Sequence, residues 1–237
     1  MKTISFTILA FFIFTSISTH SQPKGKLFII GGGKRPPSLV NELILTSGID
    51  KTDYIVILPM SSEEPDTAFF YAKKQFKENE LNKVVNFNFI TDSFPATWID
   101  SVKKAKLVYI SGGDQNKFMK IVLNTEIHDA IKEAYNNGAT IAGTSAGAAV
   151  MSKKMITGNE YKYPEYTGDF RTIEAKNIEI AEGLGLLENC IIDQHFVRRM
   201  RMNRLITTSL ENPGFTCIGI DESTAIIVSG DSAKVVG

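Results

Sequence analysis

Short apolar runs alternate with amphipathic stretches through most of the chain, and that alternation predicts a parallel sheet wrapped in helices. Lys26–Ile30 is a continuous apolar run of strand length, Gly31-Gly32-Gly33 a turn, and Ser38–Thr46 a helix entered through Pro36-Pro37. Tyr54–Leu58 repeats the strand signal and Pro59–Pro65 forms a polar loop. Asp66–Asn79 carries Phe69, Phe70, Ala72 and Phe76 at helical spacing. Val85, Phe87 and Phe89 alternate with asparagines as a strand would, Thr97–Lys104 reads as a short helix, and Leu107–Ser111 as another strand ended by Gly112-Gly113. Asp114-Gln115 then opens one long helical segment that runs to Asn136-Asn137-Gly138.

The next stretch organises the rest. An apolar run from Ala139 ends in Gly143-Thr144, Ser145 follows, and Ala146-Gly147 opens an alanine-rich segment: strand, sharp turn, helix, the order of a nucleophile elbow. A glycine-rich turn of an α/β domain is the plainer reading of the same residues. From Lys153 to Gly183 the pattern weakens into Tyr-, Gly- and Glu-rich sequence, expected to form a loop or small excursion near the site. Ile191-Ile192-Asp193 ends a strand directly before Gln194-His195-Phe196, and Arg198, Arg199, Arg201 and Arg204 are expected on a helix. Phe215–Ile220 is a strand ending in Asp221-Glu222, and Thr224–Val228 with Ala233–Val236 a closing hairpin. The expected fold is therefore a three-layer αβα domain with a mostly parallel, flavodoxin-like sheet, binding ligands at the carboxyl ends of its strands.

Composition narrows this picture. At 237 residues and 43% apolar the chain suits one domain, and 26 basic against 26 acidic residues leave no global field for nucleic acid or a membrane surface. Met1-Lys2, the apolar run Ile4–Ile17 and the small Thr19 and Ser21 fit a secretory signal peptide over residues 1–21, so residues 22–237 form the expected mature, secreted or periplasmic domain. The run is too short for a comfortable span, and the alternative is an uncleaved anchor. Cys190 and Cys217 sit in apolar runs and are expected as free, buried thiols. Neither a metal nor a cofactor site is indicated.

A serine nucleophile needs a base, and the chain has three histidines. His20 lies in the leader and His128 in a polar helix beside Glu126 and Asp129, where a solvated position is expected; His195 stands just past a strand end, as Ser145 does. Glu222 also follows a strand and can orient the imidazole, with Asp221 and Asp193 as rivals. The order Ser145, His195, Glu222 differs from the Ser, Asp/Glu, His order of α/β-hydrolases. It resembles instead the class I glutamine amidotransferases, with serine in place of cysteine. The backbone amides of Gly113 and Ala146 are the oxyanion-hole candidates.

Taken together, Gly112-Gly113-Asp114-Gln115, Gly143-Thr144-Ser145-Ala146-Gly147-Ala148, Asp193-Gln194-His195-Phe196 with its arginines, and Asp221-Glu222-Ser223-Thr224-Ala225 resemble the cyanophycinase family. Related aspartyl dipeptidases share the serine elbow without the Asp-Gln-His-Phe and arginine signature. The resemblance implies Ser145 as nucleophile, His195 as base, Glu222 as orienter, and a substrate pocket of Gln115, Asp193, Gln194, Arg199, Arg201 and Arg204. It also implies a homodimer. Two departures stand out: Gly33-Lys34-Arg35-Pro36 replaces expected acidic residues, and the sequence stops at Gly237 where relatives are expected to continue into a further strand.

The expected substrate is cyanophycin, a polyaspartate bearing arginine on each side-chain carboxyl, cut to β-aspartyl-arginine dipeptides. Clustered arginines suit an aspartyl carboxylate, while Asp193 or a glutamate between Glu160 and Glu182 faces the guanidinium; a solvated helix face is the plainer reading of the arginines. The alternatives are a peptidase for other aspartyl or isoaspartyl peptides and a catalytically silent binding protein.

Overall fold

The structure, a computed structural model, describes residues 23–79, 81, 83–90, 93–165, 168 and 170–237. The expected leader lies outside the described residues. In chain order the elements are β1 (Lys26–Ile30), α1 (Pro37–Ser47), β2 (Ile55–Leu58), α2 (Pro65–Lys77), β3 (Val84–Asn86), α3 (Ala96–Lys104), β4 (Leu107–Ile110), α4 (Gln115–Val122) and α5 (Glu126–Asn136). They continue with β5 (Thr140–Thr144), α6 (Ala146–Ala149), β6 (Lys154–Glu160), β7 (Ile178–Glu182), β8 (Cys190–Gln194), α7 (Met202–Glu211), β9 (Thr216–Ile220), β10 (Ala225–Ser229) and β11 (Ser232–Val236).

Seven strands form the main sheet in the order β11-β10-β1-β5-β4-β2-β3. From β1 to β3 all neighbours run parallel, and β10 and β11 close the other edge as an antiparallel hairpin. The inner strands are buried almost throughout, and largely apolar, because both faces are covered. Along β1, Leu27 and Ile29 pack with Phe118, Ile127 and Ile131 on the side of α3, α4 and α5. Phe28 and Ile30 alternate to the opposite side, with Leu39 and Leu43 of α1 and Phe76 of α2. The three-layer αβα architecture is the one the alternation predicts.

Three local expectations are corrected. The long helix after Gly113 is two helices, because Asn124 takes the left-handed conformation at φ 57° and breaks the run. His128 is buried rather than solvated: its Nδ1 accepts from the Asn124 amide at 3.3 Å and its Nε2 faces the Leu184 carbonyl at 3.0 Å. The segment after Lys153 is the expected small excursion beside the site. Its arms pair as the antiparallel hairpin β6–β7. Arg198, Arg199 and Arg201 lie on the turn before α7, and only Arg204 is helical. The turn persists because the Asp221 carboxylate accepts the amides of Val197 and Arg198 at 3.1 and 2.9 Å.

Strands β8 and β9 pair in parallel outside the main sheet, with Ile191 opposite Cys217 and Cys190 opposite Thr216. Cross-strand partners share a face and successive residues alternate, so the two thiols point to opposite faces. Cys190 and Cys217 are free and half-buried, not fully buried as the apolar runs suggested.

Candidate active site

Ser145 sits between β5 and α6 at φ 54° and ψ −112°, a conformation that costs an L-residue energy. The glycines beside it make the turn feasible. A Cβ on Gly143 would lie 2.2 Å from the Gly147 carbonyl oxygen, and one on Gly147 only 2.4 Å from that of Ile110. Strand and helix backbones therefore touch, and the serine is held above them.

The end of β1 assembles the rest. Its last carbonyl, Ile30, accepts the Ser145 amide at 3.0 Å; Gly31 accepts the His195 amide at 2.8 Å; Gly32 accepts the Ser223 amide at 3.0 Å. Three consecutive carbonyls thus fix the three segments that carry Ser145, His195 and Glu222. His195 Nε2 lies 2.8 Å from Ser145 Oγ, and its Nδ1 lies 2.7 Å from Glu222 Oε1. The rivals for Glu222 are engaged elsewhere, Asp221 by the turn amides and Asp193 by Arg204. Burial holds the His195 pKa below its ordinary 6.5, against the opposing effect of the Glu222 carboxylate. At neutral pH the ring is uncharged, with Nδ1–H donating to Glu222 and Nε2 accepting from the serine hydroxyl.

Gly31-Gly32-Gly33 does more than form the turn that its glycines predict. Gly32, at φ +124°, backs the imidazole so closely that a Cβ would stand 2.4 Å from His195 Cε1; one on Gly33 would stand 2.7 Å from Glu222 Oε2. Three successive glycines at a strand end were the available signal.

A cleft of about 470 Å³ opens beside Ser145, lined by Gly113, Gln115, Gln194, Arg199, Arg201 and the β6 residues Thr157, Gly158 and Asn159. Among the described residues the amides of Gly113 and Ala146 donate to no protein acceptor. Gln115 ties its side-chain nitrogen to the Ile156 and Thr157 carbonyls, which anchors the hairpin against α4. Arg201 donates to both the backbone and side-chain oxygens of Gln194, at 2.6 and 2.8 Å.

Arg204 and Asp193 are a correction to the expected pocket. Both are buried, at 2% and 0% exposure, and pair side to side: Arg204 Nε donates to Asp193 Oδ2 at 2.9 Å and Nη2 to Oδ1. The guanidinium also lies 4.5 Å from the centre of the Phe170 ring. They brace β8 against α7 rather than lining the cleft, because each fills the other's hydrogen-bonding capacity in a dry interior. Arg204→Met leaves the buried Asp193 carboxylate with only the Arg201 guanidinium, whose Nη1 is 3.7 Å from Oδ1, and the expected loss of unfolding free energy is about 3 kcal/mol. Urea unfolding measures it, with most of the loss recovered on adding Asp193→Leu; a single variant as stable as wild type contradicts the bracing role.

Among the described residues no three His, Cys, Asp or Glu side chains are placed to hold a metal ion, and no helix is long and apolar enough to cross a membrane.

A serine on an elbow between strand and helix, joined through histidine to glutamate in a sheet of this topology, defines a serine hydrolase of glutamine amidotransferase-like architecture. The chain belongs to peptidase family S51, whose family model matches residues 27–236, and it is a serine-type peptidase. It is 32% identical over 223 residues to the cyanophycinase of Nostoc sp., covering 90% of this chain and 70% of that one. The cyanophycinase of Trichormus variabilis is 31% identical over 219 residues, with the same shares covered. Peptidase E of Actinobacillus pleuropneumoniae is 25% identical over 146 residues, covering 58% of this chain and 57% of its own. A peptidase from an acI-B1 Actinobacterium has the same fold, with a TM-score of 0.67 at 24% identity over 91% of this chain and 88% of its own.

Proposed function

We propose that this peptidase cleaves aspartyl peptides through an acyl-enzyme on Ser145, and that multi-arginyl-polyaspartate is its substrate. One observation carries the reading: the hydrogen-bonded chain Ser145–His195–Glu222 opens onto a cleft bordered by Arg199 and Arg201. Ser145 Oγ attacks the scissile carbonyl and passes its proton to His195 Nε2, while Glu222 stabilises the imidazolium. The amides of Gly113 and Ala146 receive the oxyanion, each such donor contributing roughly 10²- to 10³-fold in rate. His195 returns the proton to the leaving amine, and water then releases the acyl group by the same steps. The planar forks of Arg199 and Arg201 suit the free carboxylate of an aspartyl unit. The similarity to cyanophycinases supports the polymer as substrate. The amino-terminal pattern of charge and apolar residues supports export of the chain with residues 1–21 removed.

Incubating residues 22–237 with insoluble multi-arginyl-polyaspartate and weighing the soluble products tests the substrate. Aspartyl-arginine dipeptides are the expected product. Cleavage of small aspartyl peptides alone would assign a different substrate, and failure of a phosphonate to label Ser145 would favour a silent binding protein. Arg201→Lys keeps the charge but loses the fork, so polymer cleavage should fall by the equivalent of about 2–5 kcal/mol, whereas the exposed Arg199 loses less. Wild-type rates in both lysine variants would remove the two arginines from substrate recognition, leaving Arg199 a solvated side chain and Arg201 a structural one.

The pH profile follows from His195. Only the neutral ring accepts the serine proton, and burial lowers its pKa, so kcat/KM should hold from neutrality downward and fall only below pH 6.5. Glu222→Gln removes an effect that raises that pKa, and should move the acid limb lower still while slowing turnover. An acid limb centred at or above 6.5 contradicts the depression of the His195 pKa by burial, and an acid limb that Glu222→Gln leaves in place contradicts the pairing of His195 with Glu222.

A further inference from the structure

Ser145 borders a second cleft, of about 310 Å³, on the side of the sheet that faces α1 and α2. Gly33, Arg35, Tyr71, Tyr109 and Thr144 help to line it. Tyr109 and Thr144 are buried, at 2% and 5% exposure, and both hydroxyls lack a hydrogen-bond partner among the described residues. Register explains why both line it: Tyr109 pairs with Ala142, two residues before Thr144 on the same face of β5. Buried hydroxyls without partners are rare and carry a cost, so a pair of them beside a nucleophile calls for a ligand.

Arg35 gives the cleft its sign. Among the described residues lining it, Arg35 is the one charged side chain. Its Nε donates to Gln75 Oε1 at 2.9 Å, which fixes the guanidinium, while its terminal nitrogens meet no acceptor among the described residues. Burial pushes the Tyr109 phenol up, with Arg35 opposing, so the hydroxyl stays a neutral donor. Two hydroxyls and a guanidinium present donors to one small volume, and the complementary group is a carboxylate.

We propose that this second cleft is a subsite for a carboxylate on the residue released from the scissile bond. The inference rests on the peptidase reading above, which places the acyl portion with Gly113, Arg199 and Arg201 in the first cleft. The polypeptide then crosses Ser145 with its leaving residue over Thr144 and Tyr109. Two sources share this chemistry, the main-chain carboxylate of a terminal residue and an acidic side chain.

Titration calorimetry on the wild-type chain separates them with three probes: glutamine, which has only the main-chain carboxylate, isoglutamine, which has only the side-chain one, and glutaminamide, which has neither. Glutamine or isoglutamine should bind roughly tenfold to a hundredfold more tightly than glutaminamide, and the tighter of the two identifies the source. In Arg35→Gln that gap should close. In Tyr109→Phe it should narrow, which a merely structural hydroxyl would not cause. For cleavage, the ratio of kcat/KM for aspartyl-glutamine over aspartyl-glutaminamide should follow the glutamine gap and fall toward one in Arg35→Gln. No gap in the wild type, or a gap that survives unchanged in Arg35→Gln, overturns the proposal. A wild-type chain that cuts no aspartyl peptide sinks the substrate reading, while the titration still decides the cleft.

Discussion

Ser145→Ala should abolish turnover while the fold persists. The substitution removes one hydroxyl from a position already strained at φ 54°, and it keeps the Cβ that the elbow accommodates. Its Oγ meets His195 Nε2 at 2.8 Å, so the alanine variant loses that hydrogen bond and little else. Stability should stay within about 1–2 kcal/mol of wild type. Peptidase activity should drop by about 10⁴- to 10⁶-fold, because no other group near the imidazole can attack and the remaining machinery only binds and polarises. Steady-state rates together with thermal melts check both halves. Residual activity within about tenfold of wild type removes Ser145 from the mechanism.

Gly32→Ala should come next in size, although Gly32 touches no reacting atom. At φ +124° an alanine is strained whatever the space around it, and here the new methyl would stand 2.4 Å from His195 Cε1 and 2.5 Å from Nε2. The ring has nowhere convenient to go. It is 7% exposed and tied on one side to Glu222 and on the other to Ser145. Displacing a general base by about 1 Å costs roughly 10²-fold, and losing both hydrogen bonds costs more, so kcat should fall at least a hundredfold. Backbone strain of about 1–3 kcal/mol should accompany it. Gly48→Ala is the control, since that glycine also has a positive φ but nothing within 4 Å of a new Cβ. It should lose some stability and no activity. A Gly32→Ala enzyme within threefold of wild type would show that the imidazole is not held where the structure places it.

What the sequence made legible was whatever repeats locally. Strand β1 with α1, and the elbow around Ser145, each declare themselves by apolar runs and glycine placement within a few residues. The closing hairpin, β10 and β11, follows from the same reasoning. Long-range pairing was opaque. Whether Arg204 faces a ligand or Asp193 depends on which way α7 is turned against β8, and four arginines in seven residues carry no periodicity that says so. His128 misled for the same reason: its neighbours Glu126 and Asp129 are polar, but its contact is the Leu184 carbonyl, far along the chain. Gly32 and Gly33 looked like turn residues because the groups that demand them, His195 and Glu222, arrive from the other end of the sequence.

The three carbonyls at the end of β1 bear on how such a protein can vary. Ser145, His195 and Ser223 are widely separated in sequence, yet each is referenced by one hydrogen bond to adjacent peptide units where a single buried strand ends, Ile30 and the two glycines after it. Errors of position therefore do not accumulate along the intervening chain. A change in the length of the β6–β7 excursion, or of the turn before α7, moves the walls of the cleft without moving the nucleophile relative to its base. Recognition and chemistry are in this way mechanically decoupled, and one strand terminus serves as the common datum from which a lineage can reshape what it binds while leaving how it cuts untouched.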